Sequence, residues 1–142
     1  MHRFLKWIGI ITSITVLAVC FFLFRIYSLQ SVAHQLTEEL FTSLQANDAT
    51  SVTPLLSPEL LTAYPDVISQ LQFLALTVDT VKAPSEWFIG GYVIGTGGEK
   101  YTYHFDVVYT DSTTGSGDAK FIRKSFGGQW QLYAIDITPD TE

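Results

Sequence analysis

Hydrophobic positions change their spacing twice along the chain. From Trp7 to Phe24 no residue is charged, and 11 of these 18 positions are Ile, Leu, Val or Phe. At about 1.5 Å of rise per residue the run would measure about 27 Å as a helix, close to the hydrocarbon thickness of a bilayer. After Tyr27 the pattern becomes amphipathic: Leu29, Val32, Ala33, Leu36, Leu40, Phe41 and Leu44 recur at steps of three and four, one face of a helix that Asn47-Asp48 ends. Ser51-Val52-Thr53-Pro54 and Ser57-Pro58-Glu59 each put a hydroxyl cap before a first-turn proline, predicting short helices over 52–56 and 58–63. Pro65 interrupts, and Val67, Ile68, Leu71 and Leu74 predict another helix over 66–74. From Leu76 the period falls to two and β-branched and aromatic residues dominate, predicting strands over 76–82, 86–95, 100–110, 117–126 and 129–138.

Glycines punctuate the strands. Gly95-Thr96-Gly97-Gly98 and Gly127-Gly128 suit tight hairpins, Ser112 to Gly117 a looser one, and Gly90-Gly91 a bulge inside a strand. Connections this short imply an antiparallel meander. Helices followed by such a sheet predict an α+β domain, with the helices packed on one sheet face. The expected division is an anchor over 1–27 and a folded domain over 28–142.

Charge divides at the same place. The apolar run is flanked by Arg3, Lys6 and Arg25, whereas all 14 acidic residues lie from Glu38 onward and leave the later part of the chain strongly negative. An acidic domain is expected to repel nucleic acid and anionic lipid headgroups. Two cations before the run and one after it put the N-terminus in the cytoplasm, with the domain on the far side, as in a bacterial inner-membrane protein facing the periplasm. The expected first partner is therefore the bilayer, through residues 7–24. A cleaved secretory signal could begin in the same way, with Ser31-Val32-Ala33 as its small-x-small site, but Arg25 intervenes. Leu17-Ala18-Val19-Cys20 is similar to a lipoprotein box, with Val19 where a small residue belongs. Cys20 is the sole cysteine, so the domain is expected to form no disulfide and no thiolate site.

In its amphipathic helix closing with Gln45-Ala46-Asn47-Asp48, its Leu55-Leu56-Ser57-Pro58-Glu59-Leu60 step and its final Gly127-Gly128-Gln129-Trp130-Gln131-Leu132-Tyr133 strand, the chain resembles the nuclear-transport-factor-2-like (cystatin-like) superfamily. The resemblance spans roughly residues 30–138. It implies a cone-shaped domain of helices on a curved sheet, often dimeric, whose concave face can hold a ligand, an active site or nothing.

Alternation in the third strand puts Tyr101, Tyr103, Phe105, Val107 and Tyr109 on the core face and His104 and Asp106 on the other, away from the cavity where enzymes of that superfamily keep His and Asp groups. Asp136 shares its predicted face with Trp130, Leu132 and Ala134. The candidate ligand-pocket residues are Tyr64, Trp87, Tyr103, Trp130 and Asp136. No catalytic set, metal-ligand spacing or phosphate loop is present in the sequence, and no cofactor is expected. The expected function is a membrane-anchored, non-catalytic extracytoplasmic domain that binds a protein partner or a second copy of itself, as in an envelope assembly. The alternatives are a binder of a small apolar or aromatic ligand in the cone and, behind it, an isomerase or dehydratase.

Overall fold

A computed structural model describes residues 2–84 and 91–140. The apolar run and the amphipathic stretch form one unbroken helix, α1 (His2–Gln45), without a pause at Tyr27. Every side chain from Lys6 to Phe24 is exposed, and contact with the rest of the protein begins at the next turn. From there Ile26, Leu29, Ala33, Thr37, Leu40, Phe41 and Leu44 form the buried stripe. Thr37 sits in this stripe at no cost in unpaired polarity, because its hydroxyl donates to the Ala33 carbonyl at 2.7 Å. Val32, predicted to be inside, is 38% exposed. The helix stops where expected, with Asn47 in the left-handed region (φ 56°) and the Asp48 amide donating to the Ser43 carbonyl at 2.9 Å, a C-terminal cap that asparagine tolerates.

The connecting helices are α2 (Ala49–Val52), a 3-10 turn (Thr53–Leu55), α3 (Pro58–Ala63) and α4 (Val67–Ala75). The first starts earlier than predicted: Asp48, not Ser51, is the cap, accepting from the Ser51 amide at 3.2 Å. Ser57 caps α3 as predicted, with its oxygen accepting from the Leu60 amide at 3.2 Å.

The sheet comprises β1 (Val78–Lys82), β2 (Tyr92–Gly95), β3 (Gly98–Tyr109), β4 (Thr114–Arg123) and β5 (Gln131–Pro139), all antiparallel. The predicted meander holds from β2 to β5, but β1 departs from it. Both β1 and β2 pair with β3, β1 along its C-terminal half (Val78 opposite Tyr109) and β2 along its N-terminal half (Tyr92 opposite Tyr101). The long twelve-residue β3 is what allows two short strands to share one edge. The predicted strand 86–95 and the Gly90-Gly91 bulge fall largely outside the described residues.

β4 begins three residues before its predicted start, because Gly115 and Gly117 are strand residues and not part of a turn. Gly115 and Gly117 lie opposite Val107 and Phe105, and Ala119 lies opposite Tyr103. A Cβ on Gly117 would come within 2.5 Å of the Phe105 ring, and one on Gly115 within 2.9 Å of the Tyr109 ring. Small residues on β4 thus leave room for the large ones on β3. The core forms on this face, beneath α1, with Phe41 edge-on to Phe105 at 6.3 Å between ring centroids and Tyr103 stacked on Phe105 at 5.9 Å.

Gly117→Ala therefore overpacks the centre of the sheet and should cost about 1–3 kcal/mol. Urea unfolding of the detergent-solubilised protein would show a lower midpoint; an unchanged midpoint would contradict the packing described.

Candidate functional site: the cleft where the helix meets the sheet

Of the predicted pocket residues, those that the structure describes are placed apart from one another. Tyr103 is 1% exposed and Trp130 8% exposed, and both are core residues. Trp130 faces Leu29, Ala33, Tyr101 and Phe121 across a gap too small to admit a water molecule. Tyr64, at the end of α3, is exposed and away from both. Trp87 lies outside the described residues. Asp136 is exposed on the opposite sheet face, because a bulge between Lys120 and Phe121 on the β4–β5 pairing sets Phe121 opposite Leu132 but Lys120 opposite Ala134. The extra residue, Tyr133, inverts the alternation, so Ile135 and Ile137 turn inward and Asp136 outward.

The predicted outward face of β3 is as expected for His104 and Asp106, both half-buried. His104 reaches across to Asp118 (Nδ1 to Oδ1, 2.8 Å). Asp118 is in turn opposite Asp136, so the outer face carries a polar ladder. Among the described residues no three His, Cys, Asp or Glu side chains are grouped to hold a metal ion.

One buried polar link was not read from the sequence. His34 on α1 places Nδ1 2.7 Å from the Tyr103 hydroxyl, and its Nε2 3.3 Å from Glu38 one turn on. Burial, followed by the nearby Tyr101, Glu38 and Asp106, pushes the Tyr103 phenol above its ordinary value, so it keeps its proton and shares a hydrogen bond with Nδ1. A carboxylate, imidazole and hydroxyl in line can activate an accessible hydroxyl. This hydroxyl is sealed in the core, and the chain of groups locks α1 to β3 in register.

A cleft with a volume of about 540 Å³ lies at the N-terminal end of β3. One wall is the last apolar turn of the exposed run, Phe21 and Phe22, followed by Arg25; the other is the β2–β3 hairpin and the β4–β5 loop. Glu99 stands at its base, 8% exposed. It accepts from Arg25 (3.2 Å), from the Arg123 Nε (2.6 Å) and from the Tyr92 hydroxyl (2.7 Å). Burial alone would raise the Glu99 pKa; the Tyr92 hydrogen bond and the two guanidinium groups overcome it and hold the carboxyl below the usual range. Phe126 lies within 5.5 Å of Arg25 and 5.6 Å of Arg123, and Trp130 within 4.8 Å of Arg123, so aromatic faces flank both cations.

The hairpin geometry exposes this cluster. Gly98 takes a φ of 106°, and a Cβ there would lie 2.4 Å from the Arg123 carbonyl, so only glycine lets β3 approach β4 closely enough to start with Glu99. The sequence contained the signal in the Gly97-Gly98-Glu99 turn, but the partners are far apart in the chain: Arg25 is 74 residues from Glu99. The arrangement is an ion-pair clamp beneath an apolar cleft, with two cations on one carboxylate.

No family model matches the chain, and a search of curated proteins finds no match.

Glu99→Gln should destabilise the fold by roughly 2 kcal/mol at neutral pH, since it strands two partly buried guanidinium groups. The folded pKa of Glu99 lies below its unfolded value of about 4.3, so its contribution is fully present above that pH and fades as the pH falls through the folded value. The stability gap between the two proteins, from urea unfolding at a series of pH values, should shrink in acid; a constant gap would contradict the assignment.

Proposed function

We propose that the chain is a single-pass membrane protein whose extracytoplasmic α+β domain binds a protein partner and does not turn over a substrate. The observation that carries this reading is α1, a single helix long and apolar enough in its first part to cross a membrane, whose second part is the central helix of the folded core. A domain built on the continuation of its own anchor is held at a fixed height and tilt above the bilayer, which suits a docking element better than a freely diffusing enzyme. The cytoplasmic N-terminus is proposed from Arg3 and Lys6 ahead of the run. Helices on one face of an antiparallel sheet, in this chain order, also support our proposal that the domain is related to the nuclear-transport-factor-2-like superfamily.

The packed interior supports binding at the surface over binding inside. Tyr103, Phe105, Leu56 and Leu132 fill the space beneath α1 where a ligand in the cone would sit. Far from the proposed membrane, Phe73 is 75% exposed on α4 and Leu76, one turn on, is 67% exposed. α4 is tied to the end of α1 through Gln72 and Asn47, at 2.8 Å. Two bulky apolar side chains on a short helix facing outward give a partner a place to seat.

Crosslinking of the full-length protein in native membranes should capture a reproducible partner through photoreactive residues at 73 and 76, and Phe73→Asp should abolish it while the chain stays in the membrane. Recovery of a soluble protein whose first residue is His34 would contradict the anchor; a membrane-bound chain with no crosslink from either position would contradict the docking role.

A further inference from the structure

The continuity of α1 fixes more than the domain's tether. Its apolar run ends at Phe24, so Phe21 and Phe22 occupy the last turn before Arg25. Ile94, Gly95 and Phe126 line the same cleft as Phe21, Phe22 and Arg25, and the Phe126 ring lies 5.5 Å from the Arg25 guanidinium, so these loops stand level with the end of the run. If the run spans the hydrocarbon, that height is the boundary between acyl chains and headgroups, the level at which amphipathic side chains settle into a bilayer.

What these loops present suits that boundary. Ile94 is 70% exposed, Val93 58% and Phe126 86%, all apolar and all on the β2–β3 hairpin or the β4–β5 loop. Charge is distributed to match. The chain is acidic overall, with a net charge of -6. Arg25, Lys100, Arg123 and Lys124 nevertheless gather around this end, opposed only by Glu59 and Glu99 among the residues lining its two clefts. Asp79, on the strand position beside Tyr109, with Asp48, Asp111 and Asp140, marks the opposite end of β3. The expectation that an acidic domain repels anionic headgroups holds for the average and fails for the end that would meet them.

We propose that this end of the domain seats on the leaflet from which α1 emerges, with Ile94 and Phe126 entering the acyl boundary and Arg25, Arg123 and Lys124 meeting the phosphates of anionic phospholipid. The inference rests on the anchor reading of α1. Two apolar loops and the helix give three points of contact, which define a plane and stop the domain from tilting about its anchor.

The test uses the full chain with Cys20→Ser and a single nitroxide label at Ile94→Cys, reconstituted in phosphatidylcholine bilayers with and without phosphatidylglycerol. A label at Thr113→Cys, on the distal β3–β4 turn, is the control. Seating predicts that the Ile94 label is several-fold less accessible to an aqueous paramagnetic relaxant than the Thr113 label, and more so when phosphatidylglycerol is present. Lys124→Gln should lower the ratio of seated to unseated protein by up to about fivefold, the factor one cation near an anionic surface is worth. A chain that sediments with the bilayers but whose Ile94 label is as accessible as the control overturns the seating alone. A chain that does not sediment with the bilayers overturns the anchor reading and the seating with it. Equal accessibility with and without phosphatidylglycerol overturns the role given to the cations.

Discussion

The structure depends on one helix with two kinds of surface, apolar all round in its first part, which is long and apolar enough to span a membrane, and striped in its second. A segment surrounded by lipid must be apolar all round, whereas a helix packed on a sheet needs only a stripe. In α1 the change is made within one turn: Phe24 is fully outward, Arg25 is half-buried, and Ile26 is 3% exposed. Arg25 marks the change, because it is the first charge after the run and it reaches Glu99 at the start of β3. That contact, the His34 link to Tyr103 and the Gln45 side chain donating to the Ala75 and Val78 carbonyls hold the helix to the domain at its near end, middle and far end. A helix clamped at three heights cannot pivot at the point where it leaves the proposed membrane.

The same sheet explains why the interior is filled by side chains. Aromatic side chains from β3 are matched by Gly115, Gly117 and Ala119 on β4, and the rings fill the volume that β4 leaves free. Space opens where α1 and the sheet diverge, at the cleft between the apolar end of α1 and the hairpin tips. Polar groups concentrate there for the same reason: Glu99 and Arg123 form a cross-strand pair at the ends of β3 and β4, where the sheet runs out and α1 is still present.

Local signals in the sequence were mostly reliable where the determinant was local, with the cap at Ser51 the exception, since Asp48 takes that place. The stripe on α1, its stop at Asn47, the Ser57 cap and the facing of β3 all rest on spacing or on caps within a few residues, and each is found close to where it was expected. What could not be read depends on pairing. β1 joins β3 and not β2 because of a register that no segment encodes alone. Gly115 and Gly117 carry the composition of a turn but answer to rings on the neighbouring strand. Asp136 was assigned to the core face by strict alternation, and one extra residue at Tyr133 reversed it. The cleft was missed because its residues come from α1, β2, β3 and the β4–β5 loop, and only the folded chain brings Arg25, Glu99 and Arg123 together.

On the anchor reading proposed above, α1 is retained and runs straight from the apolar segment into the core. Cys20 is exposed and is the protein's sole cysteine, so one added label suffices to test it. With a second nitroxide at Thr42→Cys, pulsed dipolar spectroscopy in lipid bilayers should give a single narrow distribution near 33 Å, from 22 residues at about 1.5 Å each. A broad or much shorter distribution would mean a hinge between span and domain, and the loss of Cys20 from the mature protein would mean that the helix is cleaved; either result contradicts the account.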